Sequence, residues 1–383
     1  MSRVQLAIIG TGNIVTLERK GPGKERGGAH IPCLNQLPDK YEITAIFGTN
    51  PKKNADAMSK VEHGTPELFE ADKKNTWPSY ERLLARDNVD AVLICTPNAT
   101  HMDYAVRAFE AGKHVLLEKP METSLEKCNR IIEAAEESNK ILQIAMVCRH
   151  MEFYQNVKKA VHSPGFDPGY MLVEEVRSPF ASAWKYNTEM SGGLLVEKSC
   201  HTLDLFNWIS EKQPVRVVGA GGTEVIDTGE FTDVLGNVTE IEDKSGIYDN
   251  AHVTVEYEDG MRSSYHVCFF LNSDYGIVHP IRVVGRNGEK VQGDLFDRCL
   301  KYTEGLSETL GLENGKLEMD YGLFSLAEAG VVQLERFHKT VTKGAPNAAT
   351  GQEGKLAIAM ALAAQKSIDS GSQPVNVADL PGF

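Results

Sequence analysis

The chain contains no apolar run approaching the ~20 residues that a membrane-spanning helix needs, so no such span is expected. Positive charge is also scarce: 40 lysines and arginines stand against 53 aspartates and glutamates, for a net charge of −13. With no long basic block, neither nucleic acid nor an anionic membrane surface is an expected partner, and the ligand should be a small molecule. The seven cysteines (Cys33, Cys95, Cys128, Cys148, Cys200, Cys268 and Cys299) include no CxxC and no Cys/His ligand spacing. Cys200-His201 is the one adjacent pair and has no partner cluster, so no metal site is expected. An odd number of scattered thiols, with no leader-like segment in MSRVQLAIIG, points to a reducing cytoplasm. No internal repeat or low-complexity tract is found.

What is present is ordinary globular composition, 42% hydrophobic and 24% charged over 383 residues, enough for two domains that each bury a core. The first domain is expected over 1–147, where strand-like and helix-like patterns alternate. Val4 to Ile9 is an apolar strand that runs into Gly10-Thr11-Gly12-Asn13-Ile14, the place where a dinucleotide-binding fold puts its glycine-rich turn. Gly10 permits the tight turn, and Gly12 lets the backbone approach a pyrophosphate at the start of the following helix. Val15 stands where the usual third glycine would be. Thr16 to Gly28 reads as an inserted loop, either a solvated surface segment or a basic flap built from Lys20, Lys24 and Arg26.

A second strand, Tyr41 to Phe47, ends in Gly48-Thr49-Asn50 rather than in the acid that commonly hydrogen-bonds the ribose of NAD. Thr49, Asn50, Lys52 and Lys53 can all donate to a 2′-phosphate, so NADP is the expected cofactor, with NAD as the alternative. Trp77 to Leu84 reads as a turn and short helix, Val89 to Cys95 as a third strand. Thr96-Pro97-Asn98 then falls at another carboxyl strand end, suited to the nicotinamide side of a cofactor. His114 to Leu117 is a further buried strand, and it runs directly into Glu118-Lys119-Pro120. Ligands of open α/β sheets bind outside the carboxyl ends of the strands, so these three residues are expected on the floor of the site. A solvated Glu118-Lys119 pair is the blander alternative. Ser124 to Ser138 has helical periodicity, and Ile141 to Val147 closes the unit as a strand.

A second domain is expected over 148–383, with its C-terminal helix able to pack back on the first. Hairpin-like pairs replace the regular alternation there, with arms at Asn250 to Tyr257 and Met261 to Phe269, and at Ile281 to Val284 and Lys290 to Gly293. Helical segments follow at Leu323 to Lys343 and Gly351 to Ser370. Gly192-Gly193 precedes an apparent helix carrying Glu197, His201 and Asp204 at i, i+4 and i+7, which puts the three on one face. Histidine is the natural proton carrier near neutral pH, and oxidation of an alcohol needs one. A structural histidine beside two surface acids is the alternative. Arg149 and Trp184 join Lys119, Glu197, His201 and Asp204 as expected substrate contacts.

The segments AIIGTGNI, CTPNATHMDYAVRAFEAGKHVLLEKPM and the run from Glu197 to Asp204 resemble the glucose-fructose oxidoreductase and inositol dehydrogenase family over nearly the whole chain. The family's usual aspartate and glycine on that helix are here Glu197 and Ser199. The resemblance implies an α/β fold, a Rossmann domain followed by an α/β domain with an open, mainly antiparallel sheet that often joins subunits, hence a homo-oligomer (dimer or tetramer). It also implies an NAD(P)-dependent oxidoreductase acting on sugars, polyols or their derivatives, with Lys119 touching cofactor and substrate and His201 transferring the proton. Two other readings stay open: a glycoside-cleaving relative with a bound nicotinamide and no net redox change, and a cofactor-binding protein without catalysis.

Overall fold

The computed structural model describes residues 3–16, 29–180, 182–226, 230–232, 238–240, 247–271, 277–297, 299–312, 315–319 and 325–383. The possible basic flap at 17–28 lies outside them. Two units emerge, one formed by Met1–Met151 with Gly322–Lys355 and the other by Glu152–Tyr321 with Leu356–Phe383.

The first unit contains six strands: β1 (Val4–Ile9), β2 (Tyr41–Gly48), β3 (Glu67–Glu70), β4 (Ala91–Ile94), β5 (His114–Leu117) and β6 (Leu142–Ile144). They form one sheet in the order β3-β2-β1-β4-β5-β6, and every neighbouring pair is parallel. Ala91–Ile94 is buried throughout, as expected of a strand covered on both faces. The strand order reverses beside β1, and the carboxyl ends of β1 and β4 are where such sheets place their ligands. Leu6, Ile8, Ile46 and Leu93 share a core with Val15, Ile31, Leu334 and Phe337. Each such side chain, taken fully out of water, contributes about 1.5–3 kcal/mol.

Leu334 and Phe337 belong to the helix Ser325–Lys343, which lies in this first unit although it follows the second in sequence. The Tyr41 hydroxyl donates to the Leu334 carbonyl at 2.6 Å. The segment after that helix also covers the sheet edge, since Asn347 Nδ2 donates to Leu142 O and Ile144 N donates to Ala349 O. β6 is shorter than the apolar run Ile141 to Val147 suggests. Met146 N and Val147 N bond back to the Ile144 and Ala145 carbonyls, which curls the chain off the ladder. The helix Leu125–Ser138 follows its sequence signals: the Ser124 side chain accepts from Lys127 N, and Asn139 ends it at φ 52°.

The second unit is built on β7 (Pro168–Val176), β8 (Pro214–Gly222), β9 (Glu230–Thr232), β10 (Val238–Glu240), β11 (Asn250–Tyr257), β12 (Arg262–Cys268), β13 (Pro280–Gly285), β14 (Lys290–Asp294), β15 (Cys299–Tyr302), β16 (Lys316–Glu318) and β17 (Val375–Asn376). β9 and β10 pair with each other; the rest form a sheet in the order β16-β15-β14-β13-β7-β12-β11-β8-β17. Only β7 and β12 run parallel within it. Burial alternates along β11, β12 and β13, so one face of the sheet is packed and the other presents polar side chains such as His252, His266 and Arg282. Helices Glu152–Val161 and Leu194–Ser210 pack against each other. No described helix is long and apolar enough to cross a membrane.

Candidate active site

Gly10 is required by the protein itself. It sits at φ +96°, and a Cβ there would lie 2.7 Å from the Cys95 carbonyl oxygen at the end of β4. Gly12 differs, because its nearest neighbour would be 3.9 Å from an added Cβ. Nothing inside the unit demands a glycine at 12, which fits a backbone surface kept bare for a bulky group. Asn13 and Ile14 follow in a short helix, Asn13–Thr16, with Ile14 exposed. Val15, in place of a third glycine, is fully buried in the core.

Gly48 has a different reason from the one its sequence position suggests. A Cβ there would fall 1.9 Å from Asn54 Oδ1 and 2.8 Å from Thr11 Oγ1. Thr11 Oγ1 donates to Asn54 Oδ1 at 2.9 Å, and Asn54 Nδ2 donates to the Gly48 carbonyl at 3.2 Å. The room for a side chain at Gly48 is thus taken by Asn54. Glu70, paired across from Gly48 on β3, accepts from Asn54 Nδ2 at 3.3 Å. Asn50 caps the helix Pro51–Ser59 through Lys53 N, and Thr49 is half-buried beside it.

β5 ends in the Glu118-Lys119-Pro120 turn, in which the Lys119–Pro120 peptide is cis. Glu118 is committed to the protein: Oε1 lies 2.7 Å from His30 Nε2, and Oε2 accepts from Lys119 N at 3.0 Å. Burial opposes its ionisation, but His30, by hydrogen bond and charge, together with Lys119 and His101, holds the carboxyl below its ordinary value. His101 sits behind the turn, with Nδ1 3.0 Å from Pro120 O and Nε2 3.0 Å from Thr96 O. It thereby links the turn after β5 to the end of β4. Burial lowers its proton affinity against the opposing pull of Glu122, the two carbonyls and Glu118. Thr100 Oγ1 reaches Thr96 Oγ1 at 2.9 Å and Pro97 O at 2.6 Å, and Asn98 is buried next to them.

In the second unit Gly192 and Gly193 both have positive φ and lead into the helix Leu194–Ser210. This one helix carries Glu197, His201 and Asp204, with Glu197 and Asp204 buried and His201 half-buried. Lys185 Nζ lies 2.6 Å from Glu197 Oε1, and the half-buried Trp184 precedes it in the turn Ala183–Tyr186. Arg149 belongs to the first unit and is 3% exposed; its Nη1 donates to Glu353 Oε1 at 2.7 Å and to Ala348 O at 2.9 Å. Both partners belong to the first unit and tie Arg149 to the segment after the helix Ser325–Lys343.

The sequence reading passed over His30, His101 and Lys185. His101 falls in the quoted CTPNATH segment and Lys185 directly follows Trp184. His30 carries no local signal, because it reaches Glu118 across 88 positions. Among the described residues no group of three or more His, Cys, Asp or Glu side chains could hold a metal ion.

Residues 4–146 match a family model described as an oxidoreductase family's NAD-binding Rossmann fold, and residues 167–377 match that family's C-terminal alpha/beta domain. The myo-inositol 2-dehydrogenase of Thermotoga maritima is 27% identical over 75% of this chain and 80% of its own. The NADP(+) D-xylose 1-dehydrogenase of Haloarcula marismortui is 29% identical over 60% of each chain. GenD2 from gentamicin A biosynthesis, solved in complex with NAD, shares the fold with a TM-score of 0.74 at 17% identity, over 98% of this chain and 97% of that one.

Proposed function

The chain belongs to the Gfo/Idh/MocA oxidoreductase family, and from that premise we propose that it moves a hydride between nicotinamide and a secondary hydroxyl or ketone of a sugar, polyol or sugar derivative. The observation that carries this reading is the convergence in one sheet of a bare Gly12 after β1, the Thr96-Pro97-Asn98 turn after β4 and Lys119 after β5. Relatives named as inositol and xylose dehydrogenases support the substrate class. The cofactor, when bound, supplies or accepts the hydride.

Gly10, Gly12, Asn13 and Ile14 hold the pyrophosphate side, Thr49 and Asn50 the ribose, and Thr96, Pro97 and Asn98 the nicotinamide side. Glu118 acts through the backbone by fixing the turn that presents Lys119. The Lys119 ammonium stabilises charge that develops on the reacting oxygen. His201 accepts the hydroxyl proton in oxidation and returns it in reduction, and Glu197 orients the ring. Asp204 and Trp184 complete the substrate contacts. NADP is the favoured cofactor because Thr49, Asn50, Lys52 and Lys53 can donate to a 2′-phosphate; Glu70, paired with Gly48, is a carboxylate that argues for NAD. The protein is read as a homo-oligomer joined through the uncovered face of the nine-stranded sheet, where exposed Tyr170, Phe270 and Val278 lie on or beside the strands.

The test is nicotinamide absorbance with each cofactor over a panel of sugars, polyols and glycosides. Net reduction of cofactor with a polyol or sugar is the expected result. Glycoside cleavage without net change in nicotinamide would replace this reading with the non-redox one.

A further inference from the structure

We propose that Lys185 is a positioning residue for the reaction, fixing Glu197 as the carboxylate that orients His201. The inference rests on the reading of His201 as the proton-transfer residue. Glu197 has a side chain 4% exposed, and Lys185 Nζ stands 2.6 Å from its Oε1. A buried carboxylate deprived of its cation takes up a proton instead, and a protonated Glu197 no longer favours the charged form of a neighbouring imidazole.

Lys185 is itself held in place. Its Nζ lies 4.2 Å from the Phe180 ring centroid and 5.8 Å from that of Trp184. Phe180 is fastened by Tyr186, whose hydroxyl accepts from Phe180 N at 2.5 Å and donates to Phe180 O at 3.1 Å. Lys198 and Arg177 engage a different carboxylate, with Lys198 Nζ 3.0 Å and Arg177 Nη1 3.6 Å from Glu175 Oε1. Other charged groups on the elements packed against the helix Leu194–Ser210 are Glu152, Lys158 and Lys159 on Glu152–Val161, Glu174 on β7 and Glu189 on Thr188–Ser191. On the helix itself are His201 and Asp204.

The experiment is the pH profile of kcat for substrate oxidation in the wild type, Lys185→Met, Lys185→Arg, Glu197→Gln, His201→Asn and the double variant Lys185→Met/Glu197→Gln. Lys185→Met should lower kcat roughly tenfold, in keeping with loss of one hydrogen bond to a charged group. It should also move the rising limb to lower pH, as Glu197→Gln does, and leave cofactor affinity unchanged. Lys185→Arg should restore the limb. The double variant leaves no unpaired buried charge, so it carries the test even where the single variant does not fold, and its profile should coincide with that of Glu197→Gln. A wild-type limb in Lys185→Met beside a shifted one in Glu197→Gln, or a double variant displaced well beyond Glu197→Gln, overturns the proposal. A wild-type limb and rate in His201→Asn overturns the underlying reading and this one with it.

Discussion

Two glycines two positions apart are glycine for different reasons, and the difference can be measured. Gly10→Ala has to place a Cβ against the Cys95 carbonyl at a positive φ, and should cost about 1–3 kcal/mol of stability. In Gly12→Ala the added Cβ makes an ordinary contact 3.9 Å from the Cys95 carbonyl oxygen, so it should leave thermal unfolding unchanged while weakening cofactor binding. Unfolding midpoints and cofactor titrations of both variants check this, and a destabilised Gly12→Ala with normal cofactor affinity would remove the ligand reading of that position. The glycine motif was legible in sequence because a strand must turn there. The role of Gly48 was not, since it depends on Asn54 folding back over the strand end. For the second unit, Glu197→Gln should shift the rising pH limb of oxidation downward, because the carboxylate favours the imidazolium that must lose its proton first. His201→Asn should abolish the limb and lower kcat by roughly 10²–10⁴. Profiles of the two variants that match the wild type would assign the proton to another group.

The helix Pro51–Ser59 offers a test of cofactor choice that Gly48 does not. An aspartate at 48 would collide with Asn54, whereas Asn50→Asp keeps the capping oxygen that accepts from Lys53 N. The added charge should lower kcat/KM with NADP relative to NAD while stability holds. An unchanged ratio would mean that the Thr49-Asn50 turn does not meet the ribose phosphate. Caps and periodicity made the helices Leu125–Ser138 and Gly351–Asp369 readable from local signals alone. β3, β15 and β16 were not legible because each carries at least one charged side chain within its three or four residues, unlike the wholly apolar Ala91–Ile94. The support behind the Glu118-Lys119-Pro120 turn was not legible for another reason: His30 and His101 come from separate helices and each reaches the turn only in the folded unit.

The whole chain is not two consecutive halves, since the helix Ser325–Lys343 returns to the first unit and buries Leu334 and Phe337 there. Amphipathic periodicity announces such a helix but does not say which core receives it. The second unit hides a charge cluster with its own consequence for stability. Glu175 is buried, and although burial opposes its ionisation, Lys198, His279 and Arg177 pull its pKa down to about 2. A carboxyl whose folded value lies below its unfolded value stabilises the protein at neutral pH and loses that contribution as pH falls from about 4.5 toward 2. Chemical unfolding as a function of pH should therefore lose on the order of 3 kcal/mol across that window in the wild type, less the share of other carboxyls. The fall should be shallower in Glu175→Gln, whereas parallel curves would deny the cluster its role.

Lys119 is proposed to act on the reacting oxygen rather than on cofactor binding, and single-turnover formation of reduced nicotinamide by Lys119→Met saturated with cofactor separates the two roles. The expected rate is roughly 10²–10³-fold below wild type, with the cofactor dissociation constant nearly unchanged. A wild-type rate at saturation, with any loss confined to cofactor affinity, would contradict it.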